Sequence, residues 1–166
     1  MMSAVLRRML LIGLLGLSVA GVQAEVLVES AWVREVPPVS EHSAAYMRLV
    51  NTGEQERRLV AAETSGFSRV EIHESIERDG VARMEHRDAI VIPPGGEAIL
   101  QPGGYHLMLM RRTGEAPRAG DDIQLELVFA DGERMTVMAE VSRHGPDGEA
   151  GEHHHDHDRD GHGHGH

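Results

Sequence analysis

The sequence predicts an all-β domain, either a sandwich or a barrel, on three observations. Short runs rich in apolar residues follow one another from residue 26 to about residue 143. Clusters of Pro, Gly, Asn and Asp separate these runs, a spacing typical of sandwiches and barrels. No stretch of this region repeats apolar residues with a helical period. We therefore expect strands joined by tight turns.

The runs define ten strands, each bounded by turn residues. Alternation is clearest in Ile123–Phe129, where every second residue is apolar and one face should be buried. Asp79-Gly80 is a turn signal, and Asp131-Gly132 between alternating runs is a strong hairpin signal. In chain order the predicted strands are Val26–Arg34, Ala45–Asn51, Arg58–Glu63, Arg69–Ser75, Val81–His86, Ala89–Ile92, Ala98–Gln101, Tyr105–Met110, Ile123–Phe129 and Arg134–Val141.

Composition excludes several functions. The 166 residues carry 27 acidic against 16 basic side chains, a formal charge of −11, which disfavours binding to nucleic acid. Cysteine is absent, so disulfides, Fe–S clusters, thiolate metal sites and cysteine nucleophiles are excluded. The 12 histidines and 9 methionines are conspicuous, because both residue types bind metals.

Residues 1–24 have the layout of a cleavable signal peptide. Arg7 and Arg8 precede the apolar run from Met9 to Ala20, and Val22-Gln23-Ala24 ends in small residues. A membrane anchor is the alternative, but this run is too short to cross a hydrocarbon core of about 30 Å. We expect an exported protein that begins at Glu25, with one domain over residues 25–144.

Residues 145–166 form a tail of different composition. It has no aliphatic side chain larger than that of Ala150, so we expect it to be disordered. Histidines alternate there with Asp and Gly, which favours a natural metal-binding tail over an expression tag. Imidazole and carboxylate donors suit Cu(II), with Ni(II) and Zn(II) as weaker alternatives. The tail histidines are His153, His154, His155, His157, His162, His164 and His166.

One predicted strand combines core residues with metal donors. In Tyr105–Met110 the side chains of His106, Met108 and Met110 share one face, and two leucines share the other. The face with the two leucines is predicted to pack in the hydrophobic core. The His/Met face is either a second apolar surface, since methionine commonly fills cores, or a soft metal site. A second cluster, with His73 in one strand and Met84 and His86 in the next, favours the metal site.

The complete spacing His73-x10-Met84-x21-His106-x-Met108 resembles the signature of the PCuAC family of periplasmic copper chaperones. Other blocks resemble that family as well and extend the similarity over nearly all of residues 26–142. They are Ala31-Trp32-Val33-Arg34 before Pro37-Pro38, Ala44-Ala45-Tyr46-Met47 before Asn51-Thr52-Gly53, Val70-Glu71-Ile72-His73-Glu74, and the segment from Pro102 to Met110.

The resemblance implies a cupredoxin-like β-barrel that binds Cu(I) through His73, Met84, His106 and Met108. It also implies delivery of copper toward the CuA centre of cytochrome c oxidase, with Sco-type chaperones as partners. Family members often have a methionine where this chain has Ala82, and here His86 follows Met84 instead. The sequence leaves open whether His86, Met110 or Met47 adds a ligand.

The donor chemistry agrees with this implication. Thioethers select Cu(I) over hard cations, and they avoid the disulfide formation that threatens cysteine in an oxidising compartment. A blue-copper electron carrier would need a cysteine ligand, and the His-Glu-x-x-His motif of zinc hydrolases is absent. We therefore expect a non-enzymatic copper-binding protein. The alternatives are a periplasmic copper or zinc sequestration protein acting mainly through its tail and, less favoured, an oxidoreductase.

Overall fold

The computed structural model describes residues 26–146, which form ten β-strands and no helix. Both the predicted signal peptide and the tail histidines lie outside the described residues. The strands are β1 (Val26–Arg34), β2 (Ser43–Asn51), β3 (Arg57–Glu63), β4 (Phe67–Arg78), β5 (Val81–His86), β6 (Ile90–Ile92), β7 (Glu97–Leu100), β8 (Tyr105–Arg112), β9 (Asp122–Phe129) and β10 (Arg134–Ser142). The predicted all-β class and the ten predicted strands are confirmed.

The strands form one continuous sheet in the order β5-β4-β8-β7-β2-β1-β10-β9-β3-β6, with an additional pairing between β8 and β2. Most neighbours are antiparallel, whereas β1 runs parallel to β10 and β7 meets β8 in parallel at one residue pair. Strands β5 and β6 are the two edges. Since β5 pairs only with β4, the outer side of β5 is open to solvent in the described part of the chain.

A single hydrophobic core lies within the sheet. Within residues 26–146, every strand except β5 contributes buried apolar side chains to it. The alternation predicted for β9 is confirmed, because Leu125, Leu127 and Phe129 are at most 2% exposed. Leu107 and Leu109 of β8 are fully buried, as predicted for the face opposite the metal donors.

Two tight hairpins set the register of the strands. Asp79 (φ 55°) and Gly80 (φ 73°) both have left-handed backbones, the requirement of a two-residue type I′ turn between β4 and β5. Pairing continues up to this turn, from Arg78 opposite Val81 inward, so β4 runs three residues beyond its predicted end. The β9–β10 hairpin closes through Gly132, whose φ is 89°.

No helix among the described residues has the length and apolar character needed to cross a membrane.

Candidate metal centre

Three histidines form a row across three neighbouring strands. His86 of β5 pairs directly with His73 of β4, and His73 pairs directly with His106 of β8. Directly opposed residues of antiparallel strands point to the same face of a sheet. The ring centroids of His73 lie 5.9 Å from those of His86 and 5.8 Å from those of His106, with the rings close to perpendicular. We call these three residues the histidine row.

Both predicted methionine ligands lie on the same face as the histidine row. Met84 is two residues from His86 along β5, and Met108 is two residues from His106 along β8. A pocket of about 300 Å³ is lined by Met84, His106 and Met108. His73 does not line this pocket itself, but its ring lies beside that of His106, which does. The four residues predicted from the spacing are thus brought onto one face, and we call them the soft site.

His106 is held in an orientation that frees one ring nitrogen. Its Nδ1 lies 3.1 Å from the carbonyl oxygen of Gly104, and with Nδ1–H as the donor, Nε2 carries the lone pair that a metal needs. The residue is only 4% exposed. Burial lowers the pKa of His106, and the nearby His73 and Arg34 lower it further against the opposing effect of the Gly104 bond. The neutral, ligating form is therefore favoured.

His73 is positioned by a carboxylate. Its Nε2 lies 2.8 Å from Oε2 of Glu71, and both side chains are largely buried. The other ring nitrogen of His73, Nδ1, is buried without a hydrogen-bond partner. The bond to His73 is the main reason that the pKa of the Glu71 carboxyl lies below its usual value, with Arg69 adding to the effect. A carboxylate that orients an imidazole in this way is typical of metal centres.

An aromatic stack supports the pocket from the side of β1 and β2. The ring of Tyr46 lies 6.3 Å from that of His106 and 4.6 Å from that of Trp32. The guanidinium of Arg34 lies 5.5 Å from the centre of the Tyr46 ring. Burial raises the pKa of the Tyr46 hydroxyl, so this residue stays uncharged beside the site.

The remaining candidates divide between the site and the core. Met47 is 2% exposed and belongs to the hydrophobic core, on the face of β2 opposite to that of Tyr46. Met110 continues the face of Met108 along β8 and lies opposite Arg69. His86 is paired with His73, and its side chain is 58% exposed.

Sequence reasoning did not assign roles to Glu71, Tyr46 or Trp32. The signal for Glu71 was available, since it stands two residues before His73 in a strand and must share its face. Tyr46 lines the pocket and Trp32 packs against Tyr46, an arrangement set by the pairing of β2 with β8 and β1 that local sequence patterns do not reveal.

The fold and this His/Met face define the class of the protein, a PCuAC-type domain. Similar solved structures include the Cu(I) form of DR1885 from Deinococcus radiodurans, with 32% sequence identity and a TM-score of 0.60 over 75% of this chain and 83% of that chain. The copper-bound PCuAC domain of PmoF2 has a TM-score of 0.61 over 72% of this chain and 93% of its own, and at 24% identity it supports the cupredoxin-like fold alone.

Sequence comparisons identify the family. Residues 26–141 match the family described as "Putative lipoprotein LpqE-like". The protein Lxx21020 of Leifsonia xyli subsp. xyli, named as a lipoprotein, is 36% identical over 73% of this chain and 72% of its own length. The protein RP573 of Rickettsia prowazekii is 28% identical over 78% of this chain and 73% of its own length. The chain belongs to the LpqE-like family, and the resemblance to PCuAC proteins is confirmed.

Proposed function

We propose that this protein is an exported, non-enzymatic copper chaperone that carries one Cu(I) ion on the soft site. The observation that carries the proposal is the cross-strand register, which puts two imidazoles and two thioethers on one face. Thioethers favour Cu(I) over Zn(II) and over hard cations, and neutral imidazole completes such a donor set. The relatives support the assignment, since DR1885 has been solved with Cu(I) bound.

The unequal exposure of the ligands suits a protein that must release its ion. His106 is 4% exposed and hydrogen-bonded, so it is a fixed ligand. Met84 is 53% exposed and lies on the open edge strand β5. A ligand from an acceptor protein would therefore replace Met84 first, and the ion would leave by stepwise ligand exchange. We propose that the acceptor is the CuA subunit of cytochrome c oxidase and that a Sco-type chaperone takes part.

Cu(I) titration against a competing chelator tests the soft site. We expect the full chain to bind one Cu(I) tightly, and Met108→Leu, which keeps the volume but removes the thioether, to weaken binding at least about tenfold. The matched control is Met138→Leu, because Met138 is 55% exposed on β10, outside the site. Equal affinities for the two variants would contradict the proposal. Transfer to a purified CuA domain would then test the acceptor.

We propose that residues 145–166 are a separate Cu(II)-binding tail that raises the local copper concentration by tethering. Gly145 packs on Trp32, since a Cβ at residue 145 would lie 3.1 Å from Cε2 of that ring. A variant with the seven tail histidines changed to Asn keeps this contact, and we call it the tail-silenced variant. It should lose the Cu(II) ions bound by the tail and keep one Cu(I) per chain.

Equilibrium dialysis with each copper ion checks this prediction. Because free imidazole has a pKa of about 6.5, Cu(II) binding by the wild-type tail should also weaken as the pH falls through about 6. If the tail-silenced variant also fails to bind Cu(I), the tail and the soft site do not bind copper independently, and the proposal of two separate sites is wrong. If most of the total metal capacity disappears with the tail and no tight Cu(I) site remains, sequestration is the better description.

A further inference from the structure

A second group of metal donors lies beside the soft site and shares one residue with it. One ligand atom each from Glu71, His73 and His86 lies within 4.8 Å of the others. We call these three residues the Glu71 cluster. The turn at Asp79-Gly80 creates it, because that turn sets the register that pairs His86 with His73. A slip of one residue would turn His86 to the opposite face.

The donor types differ from those of the soft site. Two imidazole nitrogens and one carboxylate oxygen suit borderline divalent ions such as Zn(II) and Cu(II), whereas thioethers suit Cu(I). Three protein donors and a water complete a tetrahedral shell around Zn(II). We propose that the Glu71 cluster is a second metal site, for a borderline divalent cation. The proposal of this site does not depend on the proposed chaperone function.

The side chains of the cluster are partly preorganised. Glu71 and His73 already lie 2.8 Å apart as hydrogen-bond partners. Two ligands on a tetrahedral Zn(II) are about 3.3 Å apart, so an ion that replaces the proton between them needs only a small movement of these side chains. The buried Nδ1 of His73 has no hydrogen-bond partner, and a buried unpaired nitrogen is costly.

His86, the third proposed ligand, can move to complete the coordination shell of the ion. His86 is on the edge strand β5, and its side chain is 58% exposed, so it can approach without disturbing the core. The neighbouring charges are mixed. The carboxylate of Asp88, 3.6 Å from Nε2 of His86, favours a cation, and the guanidinium of Arg69, which pairs with Glu71, opposes one. The Arg69 side chain is 56% exposed and can turn into solvent.

His73 belongs to both sites, because it stands between His86 and His106 in the histidine row. One imidazole lone pair cannot serve two ions. A divalent ion on the Glu71 cluster would therefore remove a ligand from the soft site, and the two occupancies would exclude each other. This consequence, unlike the cluster itself, rests on the proposed Cu(I) site.

Zn(II) titration of the tail-silenced variant against a chromophoric chelator tests the proposal. We expect one Zn(II) per chain, and His86→Asn in the same background should lower the affinity at least about tenfold. His144→Asn is the matched control, since His144 is an exposed histidine outside the cluster. Absence of stoichiometric Zn(II) binding, or equal affinities for the two variants, would overturn the proposal. Circular dichroism of each variant checks that it is folded.

A third variant separates this proposal from the proposed function. Met108→Leu should weaken Cu(I) binding and still bind one Zn(II) per chain, because Met108 lies opposite Glu71 without supplying a donor to the cluster, and leucine keeps its volume. If Met108→Leu does not weaken Cu(I) binding, the chaperone assignment fails and the Zn(II) result still stands. If Zn(II) stays bound when the soft site is filled with Cu(I), the shared role of His73 is wrong.

Discussion

We expect His106→Ala to abolish tight Cu(I) binding, with a loss of affinity larger than the 10- to 100-fold that typically follows loss of an outer partner of a metal ligand. His106 is the buried member of the proposed donor set, and its Nδ1 bond to Gly104 leaves the other ring nitrogen free to bind an ion. The residues next to His106 in the chain cannot replace it as a ligand. Leu107 points into the core, and Tyr105 pairs with Glu74 on the opposite face of the sheet.

Competition titration with a Cu(I) chelator measures this loss, and thermal unfolding of the metal-free protein shows whether the variant is folded. His144→Ala serves as the control for removal of an exposed imidazole. A folded His106→Ala variant that still competes with the chelator as wild type does would remove His106 from the site. The ligand set would then have to be built around His73 and His86.

Leu107→Ala should lower the free energy of unfolding by about 2–5 kcal/mol, the largest stability effect that we expect near the site. Leu107 is fully buried, and it stands between His106 and Met108 on the opposite face of β8. Removing its side chain leaves a cavity directly beneath the two proposed ligands, His106 and Met108. The surrounding strands cannot collapse into it freely, because β8 is paired with both β4 and β2.

Urea denaturation of the metal-free protein measures the effect. With a slope of about 1–3 kcal/mol per M, the midpoint should fall by roughly 1 M or more. Leu27→Ala is the matched control, since the same atoms are removed from a side chain that is 47% exposed. Similar midpoints for the two variants would mean that the core beneath the site contributes little to stability.

Most of the fold was predictable because its local signals agree with one another. Alternation in Ile123–Phe129 marked the buried face of β9, and Asp79-Gly80 marked a turn that the backbone confirms with two left-handed residues. Strand ends were less predictable. β4 and β8 both extend past their predicted ends, because pairing with a neighbour satisfies backbone groups whatever the side chains are.

The site was predictable where ligands follow a strand period and unpredictable where they depend on pairing. His106 and Met108 share a face by the period of two, so a single strand revealed them. The direct opposition of His73 to His106 depends on the β4–β8 register, which no local pattern encodes. The same holds for Tyr46, which lines the pocket, and for Trp32, which packs against Tyr46, because both come from strands far away in sequence. The ligand set therefore came from the family spacing, and its role stays a prediction.

The position of β5 outside the hydrophobic core has a consequence for how this protein can change. Substitutions on β5 remove few packing contacts, because none of its side chains joins the core. Metal preference can therefore be altered there at little cost in folding, by choosing a thioether or an imidazole at each of residues 82, 84 and 86, which are now Ala82, Met84 and His86. An engineer seeking variants with new metal selectivity should begin with this strand, and leave β8 unchanged.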